Sequence, residues 1–139
     1  MNGVLMPNQT HLHTMYKQYN ANPVNNLTGD CVIRAISLLT DTDWMTTKIR
    51  IFIESCLMYD IPSTNRVWSS YLSKQGYERY FLPNTCPYCY TVKDFCRDNP
   101  TGRYLLALDG HVVTVIDGDY YDTWDSGNEI PIYYWTKEL

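Results

Sequence analysis

The spacing of apolar residues changes along the chain, from a helical period in the first part to strand-like blocks in the last. Apolar residues recur every three or four positions between residues 28 and 99, and from Gly102 they alternate or run in short blocks. Helices first and strands second, without βαβ alternation, are typical of an α+β domain. We therefore expect a single domain over residues 1–139, with a leading helix packed on a C-terminal antiparallel sheet.

The first helix is predicted to begin in the segment TGDCVIRAISLLT. Thr28 or Asp30 can cap it, and Cys31 occupies its first turn. Ala35, Leu38 and Leu39 share a helical face with Cys31, and the neighbouring residues are also apolar. The pattern predicts a buried central helix.

Three more helices and a group of strands follow. The helices are expected from about Asp43, where an apolar repeat runs to Cys56, from Thr64 to Lys74, and from Thr91 to Arg97. The strand segments are RYLLALD, HVVTVID, YYDTWDS and IPIYYW. The chain thus divides into an irregular arm at 1–27, a mainly helical half at 28–99 and a β-meander half at 102–137.

Charge and hydropathy exclude two classes of partner. The net charge is −4, and no run of Lys or Arg supplies the basic surface that nucleic-acid binding needs. The N-terminus lacks the pattern of a signal peptide, and no stretch is apolar for the length of a membrane span. We expect a cytoplasmic protein that binds neither nucleic acid nor membrane and needs no cofactor.

The five cysteines are an odd number without an export signal, which disfavours a disulfide framework. Cys86-Pro-Tyr-Cys89 is similar to the dithiol motif of glutaredoxins, so a thiol–disulfide oxidoreductase is an alternative; a surface turn with two free thiols is the simpler interpretation. Cys56 and Cys96 are expected in the core. A zinc site at residues 86, 89 and 96 would need His11 or His13, and we expect no metal.

Cys31 and His111 are the residues best placed for chemistry. A cysteine in the first turn of a helix lies where the helix dipole and free N–H groups favour the thiolate. His111 follows Gly110 at the start of a strand, and the next strand carries Asp122 and Asp125. A thiolate, an imidazole and an orienting carboxylate are the parts of an acyl-transfer site.

The loop between these two strands decides which carboxylate reaches His111. A three-residue loop at 117–119 pairs His111 with Asp125, whereas a two-residue loop pairs it with Trp124 and turns Asp122 to the same face. The residues alone leave both arrangements open.

The order of these motifs resembles the papain-like cysteine peptidase superfamily. The matching segments are TGDCVIRAIS and GHVVTVIDGDYYDTWDSG, and the short spacing is similar to compact members such as bacteriocin-leader peptidases of bacteria and to related phage proteins. The resemblance implies a Cys31–His111–Asp125 triad, with Asp122 as the alternative acid. It also implies an oxyanion site at Asn25 or the adjacent Asn26, together with the Cys31 N–H.

The expected activity is hydrolysis of a peptide or amide bond through a thioester, with a protein or peptide as substrate. Transglutaminase-type transfer and deamidation use the same triad and remain alternatives. A non-catalytic binding module on the same fold is a further alternative.

Overall fold

The computed structural model describes residues 15–138, which form four helices and six strands. The helices are α1 (Cys31–Leu39), α2 (Trp44–Leu57), α3 (Asn65–Lys74) and α4 (Val92–Asp98). The strands are β1 (Tyr16–Gln18), β2 (Glu78–Phe81), β3 (Arg103–Leu108), β4 (His111–Ile116), β5 (Asp119–Asp122) and β6 (Tyr133–Thr136). The expected α+β class is confirmed.

The strands form one mixed sheet in the order β1-β5-β4-β3-β6-β2. This order corrects the expected antiparallel meander, because β6 pairs with β3 instead of continuing from β5. The arm is not irregular throughout, since its residues 16–18 form β1 and pair parallel with β5. Trp135 explains the place of β6: opposite Leu105, it fills the core beneath α1 and α3.

Both faces of the sheet are covered, because alternate residues of each central strand point to opposite sides. On one face α1 and α3 pack against residues 105, 107 and 112, and on the other α4 packs against residues 106, 113 and 115. The hydroxyl of Thr114 donates to the Ala35 carbonyl at 2.6 Å, which fixes α1 against β4. This contact holds the helix that begins at Cys31 beside the strand that begins at His111.

Helix α2 turns the apolar repeat predicted from its sequence outward. Its buried residues are Thr47, Ile51, Glu54 and Ser55. The exposed members of the repeat are Met45, Ile49, Phe52, Ile53 and Cys56. Cys56 is therefore a surface residue, contrary to expectation, while Cys96 is buried as predicted. The buried Glu54 is satisfied by Ser70 and Lys74, so hydrogen bonds as well as apolar contact join α2 to α3.

Candidate active site

Cys31 lies at the start of α1, and the side chain before it does not cap the helix. Asp30 instead accepts hydrogen bonds from Arg34 Nη1 at 2.6 Å and from Trp44 Nε1 at 2.8 Å. The expectation that Asp30 or Thr28 caps α1 is thus wrong, since no side-chain cap is formed. The first N–H groups of α1 keep their donor capacity and point toward the Cys31 end of the helix.

His111 reaches Cys31 because a tight turn brings it to the start of β4. Leu108 and His111 are paired in the β3–β4 hairpin, and Gly110 takes a φ of 70° in the two-residue turn between them. The imidazole Nε2 lies 2.7 Å from Asp122 Oδ2, and the ring also forms a hydrogen bond with Cys31. Since Nε2 faces Asp122, Nδ1 is left for the sulfur.

Asp122 is the carboxylate that orients His111. Its side chain is 1 % exposed. Besides His111, it accepts hydrogen bonds from the Ser126 hydroxyl at 2.7 Å, the Thr123 N–H at 2.8 Å and Arg34 Nη2 at 3.2 Å. Burial alone would raise the pKa of Asp122, but the hydrogen bond and charge of His111, together with the Ser126 and Thr123 donors, outweigh it and hold the pKa below its usual value. The carboxylate therefore stays charged in the interior.

The favoured triad acid, Asp125, lies elsewhere, which corrects the pairing expected with His111. Strands β4 and β5 are joined by a two-residue loop in which Asp117 and Gly118 both take positive φ, 50° and 81°. This turn matches the right-handed twist of a hairpin. It sets the register in which Asp122 faces His111. Asp125 is exposed, and its carboxylate accepts from the Tyr120 hydroxyl and from Gly127 N.

The cysteine and histidine change each other's proton affinity. Burial opposes the thiolate, but the hydrogen bond and charge of His111 lower the pKa of Cys31 below its ordinary value. Burial would likewise lower the pKa of His111, yet Asp122 and Cys31 raise it to about 9. A thiol with lowered pKa beside an imidazole with raised pKa favours the thiolate–imidazolium pair. This is the nucleophilic form of such a site.

Three further residues surround Cys31, His111 and Asp122; the two-residue loop had placed Trp124 opposite His111, whereas Arg34 and Ser126 were missed from the sequence. Arg34 is buried between Asp30 and Asp122, and its charge also lowers the pKa of Cys31. Trp124 lies with its ring 5.0 Å from the His111 ring, and Ser126 holds Asp122. The available signal for Arg34 was its spacing of four residues from Asp30 in an otherwise apolar helix. The other two depend on the β5 register.

Two cavities meet at Cys31. One, which we call the cleft, has about 340 Å³ and is lined by Cys31, His111, Asn65, Gly110 and neighbouring residues. The other, which we call the Phe52 pocket, has about 220 Å³ and is lined by Gly29, Ile33, Ile51, Phe52 and Pro62 among others. Cys31, Val32 and Ser63 line both. Cys31 therefore borders two separate spaces, of which only the cleft is also lined by His111.

The predicted oxyanion residues lie on the surface of the preceding loop. Asn25 and Asn26 are exposed, and neither lines the cleft or the Phe52 pocket. Asn25 Oδ1 accepts from Asn20 Nδ2 at 3.3 Å, and Asn26 N donates to Asn22 Oδ1 at 3.2 Å. The structure thus assigns both to the loop's own hydrogen bonds, and their oxyanion role stays a prediction.

Cys86 and Cys89 are joined by a disulfide, which corrects the expectation of two free thiols. Their positions permit it, since the Cα atoms are only 4.1 Å apart. In this form neither sulfur is a metal ligand, and residues 15–138 contain no group of three or more potential metal-binding side chains. His11 and His13 lie outside the described residues. Within the same range, none of the helices has the length and apolar character of a membrane span.

Comparison of the chain with protein-family models, with curated proteins and with solved structures finds no match.

Proposed function

We propose that the protein is a papain-like cysteine hydrolase that cleaves a peptide or amide bond. The observation that carries the proposal is the hydrogen-bonded series Cys31–His111–Asp122, in which the pKa of Cys31 is lowered and that of His111 is raised to about 9. The order of the parts adds support, because a cysteine that opens a helix on the sheet and a histidine that opens a strand resemble the papain-like arrangement. Asp122 takes the place of Asp125 in the triad.

In the proposed reaction, the Cys31 thiolate attacks the carbonyl carbon and the carbonyl oxygen becomes an oxyanion. The Cys31 N–H, uncapped at the start of α1, is the first donor to that oxygen. His111 gives its proton to the leaving amine, and a thioester on Cys31 remains. His111, now neutral, takes a proton from water as the water attacks the thioester, which releases the acid and restores the thiol pair.

A peptide library incubated with wild-type protein and with Cys31→Ala tests this proposal. We expect new peptide termini with wild type and none with Cys31→Ala, read by mass spectrometry. Cys56→Ala, which removes an exposed thiol on α2, is the matched control and should behave as wild type. Conversion of glutamine to glutamate without new termini would establish deamidation instead. No product of any kind, with Cys31 unreactive toward iodoacetamide, would favour a non-catalytic binding module.

Thiol–disulfide exchange at Cys86–Cys89 is the second candidate, favoured by a disulfide whose Cys86 is exposed. Against it, α4 begins at Val92, so its N-terminus does not directly follow Cys86 to stabilise a thiolate. A disulfide-reduction assay separates the two candidates. Exchange chemistry requires loss of activity in Cys86→Ser and full activity in Cys31→Ala, and the opposite pattern excludes it.

A further inference from the structure

The Phe52 pocket borders the nucleophile but serves no part of the proposed catalysis. Cys31 is one of its lining residues, and Ile33, Ile51, Phe52 and Pro62 make most of the surface that faces it apolar. Its volume, about 220 Å³, is below the roughly 300–1,000 Å³ typical of sites for drug-sized molecules. A single large side chain is a better match to this space than a whole small molecule.

The charged residues of the pocket are already engaged with other groups. Asp30 is buried and accepts from Arg34 and Trp44. Lys48 holds its amine 5.4 Å from the centre of the Trp44 ring. An occupant with a charge would have to compete for these groups, whereas an apolar occupant leaves both arrangements intact.

Phe52 gives a second, independent indication of an apolar occupant. It is 56 % exposed, on the outward face of α2, although its helical repeat with Met45 and Ile49 predicts a core residue. The fold buries Ile51 and Glu54 in its place, so packing of the domain does not account for the phenylalanine. An aromatic wall at a cavity beside a nucleophile is what an apolar side chain would bind.

The position of His111 determines which part of a substrate reaches the pocket. His111 lines the cleft and is not among the residues of the Phe52 pocket. Because the imidazolium must give its proton to the leaving amine, the leaving group lies on the cleft side of Cys31. The Phe52 pocket, which Cys31 lines without His111, is then the space left for the acyl part of the substrate.

We infer that the Phe52 pocket binds an aromatic or branched aliphatic side chain on the residue that supplies the attacked carbonyl. This inference rests on the proposed function, whose substrate class it narrows to peptides with a large apolar residue at that position. Burying such a side chain removes apolar surface of both partners from water, which favours these substrates over those with glycine there.

N-acetyl aminoacyl acyloxymethyl ketones with Gly, Ala, Leu or Phe side chains test the inference. The Cys31 sulfur forms a bond to the ketone's methylene carbon, and the acyloxy group leaves as a carboxylate. With wild type we expect the Leu and Phe reagents to label Cys31 at least about tenfold faster than the Gly reagent, the size of effect that apolar pockets supply. Phe52→Ala should reduce that preference, because it slows the Leu and Phe reagents more than the Gly reagent.

Ile53→Ala is the matched control, because Ile53 is 53 % exposed on the same helix and does not line the pocket. Gly29→Leu is a second variant. Gly29 lines the pocket and a Cβ there meets no atom within 4 Å, so the added side chain can narrow the pocket and should slow the Leu and Phe reagents more than the Gly reagent.

The two proposals fail in different ways. Equal labelling of Cys31 by all four reagents would overturn the inference and leave the nucleophile established. A preference that persists in both Phe52→Ala and Gly29→Leu would also overturn it. If no reagent labels Cys31, the proposed function fails and the inference with it.

Discussion

Cys31 and Cys96 both lie within helices that pack on the sheet. Relative to an ordinary cysteine, however, the thiol pKa of Cys31 is lowered and that of Cys96 is raised. Burial and the nearby charge of Asp119 raise the pKa of Cys96 to about 12. Burial acts on Cys31 as well, but His111 overcomes it and the pKa is lowered. Cys31 also lies at a helix start and is less buried than Cys96, but the hydrogen bond and charge of His111 are the main causes that lower its pKa.

Asp122→Ala should have the largest effect on activity. It removes the group that orients His111 and supports its charge, so we expect kcat to fall by about 1,000-fold or more on a cleaved peptide, as when a member of other triads is removed. Asp125→Ala, which removes an exposed carboxylate that accepts from the Tyr120 hydroxyl, should leave kcat/KM unchanged. Equal losses in the two variants would contradict the assignment of Asp122. Thermal melting of both variants checks that any loss is not unfolding.

His111→Ala should move the thiol pKa of Cys31 toward that of Cys96. Without the imidazole, nothing offsets burial except Arg34 and the Val112 N–H, so the thiol should return to an ordinary or higher pKa. A thiol of pKa about 8.5 is almost fully protonated at pH 6, so iodoacetamide labelling of Cys31 at that pH should fall below the wild-type rate. Peptide mass spectrometry locates the label. Labelling that persists at pH 6 would show that His111 is not the activating group.

Stability should depend on pH through His111. Its pKa rises from 6.5 to about 9 on folding. The contribution of His111 to the free energy of unfolding is therefore fully present below pH 6.5 and is lost as the pH rises through about 9. We expect the difference in Tm between wild type and His111→Gln to narrow over that range, measured by thermal melting. A difference that is constant from pH 6 to 10 would mean that the imidazole gains no proton affinity from its neighbours.

Cys96→Ser should have the smallest effect on activity. Cys96 is 1 % exposed among apolar residues, and a buried hydroxyl without a partner costs about 1–3 kcal/mol of unfolding free energy. Urea denaturation measures that cost, and kcat/KM should stay at the wild-type value. The same change at Cys31 should do the reverse, removing activity with little loss of stability. A fall in kcat/KM in Cys96→Ser would contradict this prediction, because it would show that Cys96, on the other face of the sheet, also affects the activity.

Most of the secondary structure, and the two candidate site residues Cys31 and His111, could be predicted from local patterns in the sequence. The apolar run after Cys31 predicted α1, and Thr91 with Asp94 forms the capping box that starts α4 near its expected position. Cys31 and His111 were found because a helix start and a strand start are visible without tertiary information. Their contact, by contrast, depends on α1 packing against β4.

The register of β5, the outward face of α2 and the Cys86–Cys89 disulfide could not be predicted, because the local sequence is compatible with more than one arrangement at each place. The Asp117-Gly118-Asp119 segment can form two loop lengths, and one residue of difference exchanges Asp125 for Asp122. The apolar repeat of α2 gives no sign that it faces outward, because Glu54 finds partners only in α3. Likewise, the Cys86–Cys89 pair is set by the conformation of one surface turn.

The Arg34 bridge also has a consequence for the newly made chain. Arg34 joins Asp30, beside the nucleophile, to Asp122, which is synthesised much later. A nascent chain that has exposed Cys31 still lacks both His111 and the carboxylate that holds it, so its thiol is an ordinary one. The hydrogen-bonded series of Cys31, His111 and Asp122 is complete only when both parts of the site have closed around Arg34, so the proposed activity would begin only in the finished fold.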